Sequence, residues 1–351
     1  LRILTYEKVQ KYQEEQHKEN SYITILGLHK KLPIQDAWIK LNILTEEELK
    51  RKQTETQWDF LNQYDEYSGR RSGKTYDAET LVIEPGNKVV LAGPGMGKST
   101  LCKKLFLQAG AMNKFAIKVR LWDVAGYMRE GVAFEIALCK AMCQSLAVEF
   151  TKAELAHFFS IIILDGLDEC GDYKRTVAKS IAAWGYGHPY QMIIVTSRPI
   201  GYDLTELADY NHYQILPMDE WQMESSSQKL MELVQQDCEK QYQWFRKRLQ
   251  NYKLHKLACR SPLVLGFMVQ LSLQKKDFGN SKISLYQEIV NEWLQGSSRD
   301  NEKIISEGEL LYGIEAIAFY MMSHVSDEAR EVYTKNILSN VRRIWTDELG
   351  K

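Results

Sequence analysis

Between Lys88 and Leu216 the chain alternates short apolar, β-branched runs with longer stretches of helical spacing. The runs are Lys88 to Leu91, Ala116 to Leu121, Ile161 to Leu164, Met192 to Val195 and Tyr213 to Leu216. Between them lie helical patterns such as Lys98 to Gln108 and Phe134 to Leu146. Strands that alternate with helices predict βαβ units, hence an α/β fold whose parallel sheet is covered by helices on both faces. After Pro217 the strand pattern stops. Helices are predicted over Asp219 to Lys276, broken at Ser261-Pro262, and over Leu285 to Gln295, Glu307 to His324 and Glu328 to Trp345. Residues 1–80 read as helical and polar, with a β-prone run at Tyr22 to Gly27. Thr45-Glu46-Glu47-Glu48 has the form of a capped helix start, and Gln63 to Tyr76 that of a linker. The expected domains are therefore 1–80, an N-terminal segment and linker; 81–217, an α/β domain; 218–300, a helical domain; and 301–351, a further helical region.

Composition narrows this. A chain of 351 residues, 44% hydrophobic, can bury a substantial core in two or three domains. Its formal net charge of −1 gives no global basic bias, so nothing points to nucleic acid as the main partner, although composition does not see faces. The six cysteines (Cys102, Cys139, Cys143, Cys170, Cys238 and Cys259) make no CxxC pair and stand near no histidine cluster at zinc spacing. They read as thiols in a reducing cytosol, which implies a cytoplasmic protein. No apolar run approaches the roughly 18 residues that span a bilayer. The chain carries no signal peptide and does not begin with Met, which implies a module set inside a longer protein.

Three motifs carry chemistry. Ala92-Gly93-Pro94-Gly95-Met96-Gly97-Lys98-Ser99-Thr100 follows an apolar run and opens a helix, the context a phosphate-binding Walker A loop requires. Its glycines let successive N–H groups turn inward on phosphate oxygens, and the helix N-terminus adds partial positive charge. Lys98 would reach the β and γ phosphates and the Ser99 hydroxyl would ligate Mg²⁺. The first position is Ala92 where the motif has Gly. Ile161-Ile162-Ile163-Leu164-Asp165-Gly166-Leu167-Asp168-Glu169 is a buried strand with Asp165 at its carboxyl end, suited to the Mg²⁺ shell. Asp168 and Glu169 follow a turn at Gly166, and one of them can polarise the attacking water; alternatively both merely cap the next helix. Met192-Ile193-Ile194-Val195-Thr196-Ser197-Arg198-Pro199 ends a strand on Arg198, which can contact a γ phosphate bidentately or serve in a structural ion pair.

Taken together, the Walker A loop, the Asp-Gly-Leu-Asp-Glu form of Walker B and Thr-Ser-Arg-Pro resemble the NACHT domain of the STAND class of signalling P-loop NTPases, of prokaryotic type. Ala258-Cys259-Arg260-Ser261-Pro262-Leu263-Val264-Leu265 resembles the family's helical-domain segment, whose Pro, here Pro262, packs on adenine. Ser284 to Val290 resembles the helix after it, and Glu307 to Met321 the start of a winged-helix domain. Ile23 to Asn42 resembles a segment that precedes prokaryotic NACHT modules. The resemblance implies a slow ATPase that binds ATP or ADP with Mg²⁺ and self-associates on activation. It would control effector and sensor domains outside this chain, in antiviral or innate-immune-type defence.

Other readings compete. A GTPase would need Asn-Lys-x-Asp on a strand after Walker B, which no segment supplies, so ATP is favoured over GTP. An ABC-type ATPase would need Leu-Ser-Gly-Gly-Gln, which is absent. A module that holds ADP with negligible hydrolysis remains open, as does a STAND-type DNA-binding regulator, since winged helices can enter major grooves. Lys335 to Trp345 offers only Lys335, Arg342 and Arg343 as cations for that task. Trp244-Phe245-Arg246-Lys247-Arg248 has the spacing of an amphipathic helix face.

Overall fold

The computed structural model describes residues 2–25, 30–45, 75–144, 149–199, 202, 205–235, 237–251, 260–279, 282–297 and 313. Residues 1–276 form one compact unit and residues 277–351 a second. The first is built on a seven-stranded sheet of β3 (Asn42–Thr45), β4 (Tyr76–Asp77), β5 (Lys88–Leu91), β6 (Ala116–Arg120), β7 (Ile161–Asp165), β8 (Met192–Ser197) and β9 (Asn211–Ile215). The strand order is β4-β3-β9-β5-β8-β7-β6, and the five strands from β9 to β6 run parallel. All five residues of β7 are buried, as its unbroken Ile-Ile-Ile-Leu run requires of a strand covered on both faces. The α/β fold expected from the alternation is the fold found.

Around the sheet lie α3 (Lys98–Ala111), α4 (Leu121–Arg129), α5 (Phe134–Met142), α6 (Lys152–Phe158) and α7 (Lys174–Gly187), preceded in the chain by α1 (Arg2–Asn20) and the turn α2 (Ile34–Ala37). After the last strand come α8 (Glu220–Val234), α9 (Glu239–Asn251) and α10 (Pro262–Leu273), and the second unit contributes α11 (Lys282–Ser297). The break expected at Ser261-Pro262 is the start of α10, with Pro at its first position, where a missing N–H costs nothing. Capping boxes fix two of the starts: Thr151 with Glu154 on α6, and Asp219 with Gln222 on α8. On α9, Tyr242, Phe245 and Leu249 are buried, the amphipathic spacing expected of that stretch. Among the described residues, no helix is long and apolar enough to cross a membrane.

The N-terminal segment departs from the helical reading. After α1 the chain forms an antiparallel hairpin, β1 (Tyr22–Thr24) with β2 (Lys31–Pro33), in which Ile23 faces Leu32. β3 then joins the main sheet antiparallel to β9, placing Ile43 opposite Ile215. Burial explains the strand: Ile43 and Leu44 are both enclosed, one on each face. In sequence this four-residue run is too short for its period to show, and it abuts the Thr-Glu-Glu-Glu cap signal. Thr45 ends β3; the rest of that expected helix, and residues 63–74 of the expected linker, lie outside the described residues. So do the expected helices at 307–324, residue 313 excepted, and 328–345, and with them the winged helix and Lys335, Arg342 and Arg343.

Helix α1 meets the edge strand β6 at its first residue, Ala116. The Gln13 amide donates to the Ala116 carbonyl and its oxygen accepts the Ala116 N–H, taking the place of a neighbouring strand. Tyr12 of the same helix is fully buried edge-on to Phe150 and Phe159, with ring centroids 5.6 Å away in both cases. Lys8 closes the contact on Glu154 at 2.9 Å.

At the same amino-terminal end of the parallel strands, Gln191 leads into β8. Its buried amide donates to the carbonyls of Phe159 at 2.7 Å and Leu155 at 2.9 Å and accepts from the Trp184 indole at 2.8 Å. It thus joins the loop after α6, helix α7 and strand β8, the strand that carries Arg198 toward the site. Gln191→Leu keeps the volume but strands at least three buried polar groups, each worth about 1–3 kcal/mol. Chemical denaturation is expected to show a loss of about 3 kcal/mol or more; a loss below about 1 kcal/mol would show that Gln191 does not hold this junction.

Candidate functional site

The strand order decides which carboxyl-terminal ends lie side by side. β5 pairs with β8 and β8 with β7, so the loops after these three strands emerge together. These are the loops that hold the three motifs. In an open α/β sheet this edge is where ligands bind.

The first loop runs from Ala92 to Gly97 and ends on α3. Gly95 and Gly97 have φ of 72° and 86°, the left-handed region that side chains resist. Gly97 is the N-cap of α3, which receives no side-chain cap and has no acidic residue in its first turn. The missing cap is shared with α4, α5, α7 and α10; what sets α3 apart is that its first N–H groups follow a glycine loop, the arrangement that suits an anion. Lys98 bends over the loop, its Nζ 3.3 Å from the Ala92 carbonyl. Partial burial and the nearby Arg198 lower the Lys98 pKa, against the opposing pull of Asp168, Asp165 and Glu169.

The second loop begins at Asp165, buried at the end of β7. Its Oδ1 accepts from the Thr196 hydroxyl at 2.7 Å, and the same hydroxyl accepts the Gly166 N–H at 3.0 Å. Thr196 therefore clamps the ends of β7 and β8 together. Gly166, at φ 82°, reverses the chain, and a Cβ there would stand 3.0 Å from the Glu169 carboxyl carbon. The two acids after the turn then part company. Asp168 accepts the Arg198 main-chain N–H on Oδ1 at 3.0 Å and pairs through Oδ2 with Arg198 Nε at 2.9 Å. Glu169 instead borders the open cleft. Partial desolvation of its carboxyl, then the charges of Asp168 and Asp165, raise the Glu169 pKa above the ordinary carboxylate value.

A cleft of about 340 Å³ runs along this edge, a volume within the range of small-molecule sites. Its lining joins the whole loop from Gly93 to Thr100, with Glu169 and Arg198, to apolar residues that include Ile23, Trp38, Ile39, Leu230, Pro262 and Leu263. Pro262 thus reaches the same cleft as the loop, through a direct tie: the Leu263 N–H and the Ser261 hydroxyl both donate to the Gly95 carbonyl at 3.2 Å. Ser261 precedes α10 yet does not cap it; its hydroxyl is turned to the loop instead.

Every residue singled out in the three motifs lies at this edge, Asp165 beneath it and the others along the cleft or paired there. Sequence reasoning missed the wall from the N-terminal segment. The β-prone run at Tyr22 to Gly27 and the resemblance of Ile23 to Asn42 to a segment before NACHT modules were its visible signals, and neither told which end of the sheet the segment would cover. Thr196 stands in the Thr-Ser-Arg-Pro motif, and its contact with Asp165 and Gly166 has no signal in the sequence. For Mg²⁺, Ser99 stands in the first turn of α3 and Asp165 offers a buried carboxylate. That donor set fits an ion held by one carboxylate together with phosphate oxygens, and among the described residues no cluster of three or more His, Cys, Asp or Glu would hold a metal alone.

A parallel sheet with a glycine loop between a strand and an uncapped helix, beside a strand ending in a buried aspartate, defines the class: this is a P-loop NTPase fold. No protein-family model and no curated protein matches the chain. Similar solved structures include AMPPCP-bound DnaA from Aquifex aeolicus, at 13% identity over 84% of this chain and 90% of that one, TM-score 0.38. A Walker-type ATPase of Pyrococcus abyssi shares 13% identity over 76% of this chain and 86% of that one, TM-score 0.42. Domain III of the Thermotoga maritima replication initiation protein DnaA shares 13% identity over 76% and 88%, TM-score 0.31. These scores lie below 0.5, and the assignment of the fold rests on the strand order and the loop themselves.

Gly95 is the tightest point of the cleft. A Cβ built there would lie 2.9 Å from the Leu263 Cβ, on a backbone that already has positive φ. Gly95→Ala is expected to break the tie to Ser261 and Leu263 and to abolish nucleotide binding in calorimetry; retained affinity would show that the loop tolerates another shape.

Proposed function

We propose that this chain is a nucleotide-switched regulatory ATPase that binds ATP and ADP with Mg²⁺. The observation that carries this reading is one cleft that combines two kinds of lining. It has a lysine, an arginine and the uncapped N–H groups of α3 for phosphates, and Trp38, Ile39 and Pro262 for a purine. The apolar lining draws on the N-terminal segment and on α8 and α10, the polar lining on the loops after the sheet strands. A ligand that bridges these parts favours their closed arrangement, and only such differential binding can drive a switch.

In this reading Lys98 and the loop N–H groups hold the β and γ phosphates, and Ser99 and Asp165 hold Mg²⁺. The ion, when bound, neutralises phosphate charge. Glu169 borders the cleft with a raised pKa and orients the attacking water as general base. Arg198 contacts the third phosphate. ADP lacks the group that Arg198 meets and so favours the closed form, while ATP favours a form that self-associates. Turnover is then slow, below the roughly 1–1,000 s⁻¹ of ordinary enzymes.

The doubled acid after Asp-Gly-Leu, the Thr-Ser-Arg-Pro strand end and the proximity of Pro262 to the loop support a NACHT-type member of the STAND class. On that reading the chain governs effector and sensor domains beyond it, in antiviral or innate-immune-type defence in the cytoplasm.

Lys98→Ala is expected to abolish ATP and ADP binding in calorimetry, because a charge-assisted contact is lost with no replacement. Glu169→Gln is expected to slow single-turnover hydrolysis by about 10²-fold or more with ATP affinity changed by less than about threefold. The switch itself is tested by denaturing the purified protein, identifying the released nucleotide, and measuring mass by light scattering with and without a non-hydrolysable ATP analogue. Bound ADP and analogue-induced assembly are the expected results. A nucleotide-free monomer that turns ATP over rapidly would sink the switch and leave an ordinary ATPase.

A further inference from the structure

The acid pair Asp168-Glu169 invites the assumption that both residues act on the attacking water. Their surroundings separate them. Asp168 is not among the residues that line the cleft, whereas Glu169 and Arg198 are. The Asp168 side chain is 10% exposed and the Arg198 side chain 51%. Both Asp168 oxygens are engaged by one residue, Oδ1 by the Arg198 main-chain N–H and Oδ2 by its Nε. A carboxylate that accepts from both the backbone and the side chain of an arginine fixes that residue's position and its side-chain direction together. It has no comparable claim on a water in the cleft.

The pairing is built into the fold. β8 lies between β5 and β7, so Arg198, just past the end of β8, emerges between the loop bearing Lys98 and the turn bearing Asp168. Thr196, two residues before Arg198, is tied to Asp165 and Gly166. Asp168 ties the next turn of the same two loops. Arg198 is thereby held by Asp168 on its own N–H and Nε, and the strand leading to it is held by Thr196, while the residue lines the cleft.

We propose that Asp168 is a positioning residue that presets Arg198 for the third phosphate, and that the preference for ATP over ADP depends on this pair while proton chemistry falls to Glu169 alone. This rests on the nucleotide reading above. It differs from a shared-base scheme in one measurable respect: loss of Asp168 should act on discrimination between tri- and diphosphate, and it should act through Arg198.

The test is a double-mutant cycle in the full chain carrying Glu169→Gln, so that ATP survives the measurement. Affinities for ATP and for ADP, each with Mg²⁺, are measured for the Glu169→Gln parent and with Asp168→Ala, Arg198→Ala and both added. Taking the ratio of the two affinities removes the general gain from deleting a negative charge near phosphates. Each single change is expected to lower the preference for the triphosphate by about tenfold, about 1.4 kcal/mol, and the double change by no more than either alone. Asp168→Asn, which can still accept the backbone N–H, should fall in between. Melting temperatures separate a folding defect, which would weaken both nucleotides alike. Additive losses, an unchanged ratio, or a ratio that rises when Asp168 is removed would each overturn the proposal. A parent that binds neither nucleotide, when the chain without Glu169→Gln binds neither as well, overturns the nucleotide reading itself and this inference with it.

Discussion

The first turn of α3 leaves its backbone N–H groups without a side-chain cap, and the rest of the site is arranged about that feature. Uncapped helix termini are costly when nothing answers them. Here Gly95 and Gly97 adopt left-handed backbone angles that bend the loop around the helix end, and Lys98 reinforces its positive potential. An anion is the natural complement, and the neighbouring strands supply the groups that would manage its charge: a buried aspartate, an exposed glutamate and a tethered arginine.

Hydrogen bonds between strand ends give this arrangement its rigidity. Thr196 bridges Asp165 and Gly166, and Asp168 holds Arg198, so the turns after β7 and β8 form one linked layer. Gln191 secures β8 at its other end. The functional strand is therefore pinned at both termini by buried polar contacts, which are strong when complete and expensive when broken. The apolar wall is joined to this layer by two hydrogen bonds to the Gly95 carbonyl and the packing of Leu263, and its N-terminal part by the Trp38 indole on Glu79 and by Lys103 on the Tyr22 carbonyl.

Much of the chemistry could be read along the chain because it depends on local order. The loop needs its glycines and lysine at fixed offsets between a strand and a helix, and Asp165 needs four apolar residues before it. Such features depend on neighbours a few residues away. The N-terminal wall could not be read in this way. Ile23 and Trp38 belong to the cleft only because β3 pairs with β9 and the β1–β2 hairpin sits beside α2, contacts between segments about 170 residues apart in the case of β3 and β9. The different fates of Asp168 and Glu169 were likewise invisible, since two adjacent acids look alike until a partner such as Arg198 is brought against one of them.

The sequence by itself determined the class of fold, the phosphate loop, the Asp165 strand end and the set of ionisable residues, because hydrophobic period and motif spacing are properties of short segments. Tertiary structure decided which segments close the cleft, that Pro262 meets Gly95 through Ser261 and Leu263, and that Asp168 is engaged by Arg198 while Glu169 borders the cleft. Those outcomes follow from strand order: the insertion of β8 between β5 and β7 sets which loops become neighbours, and no local pattern in the chain encodes that order.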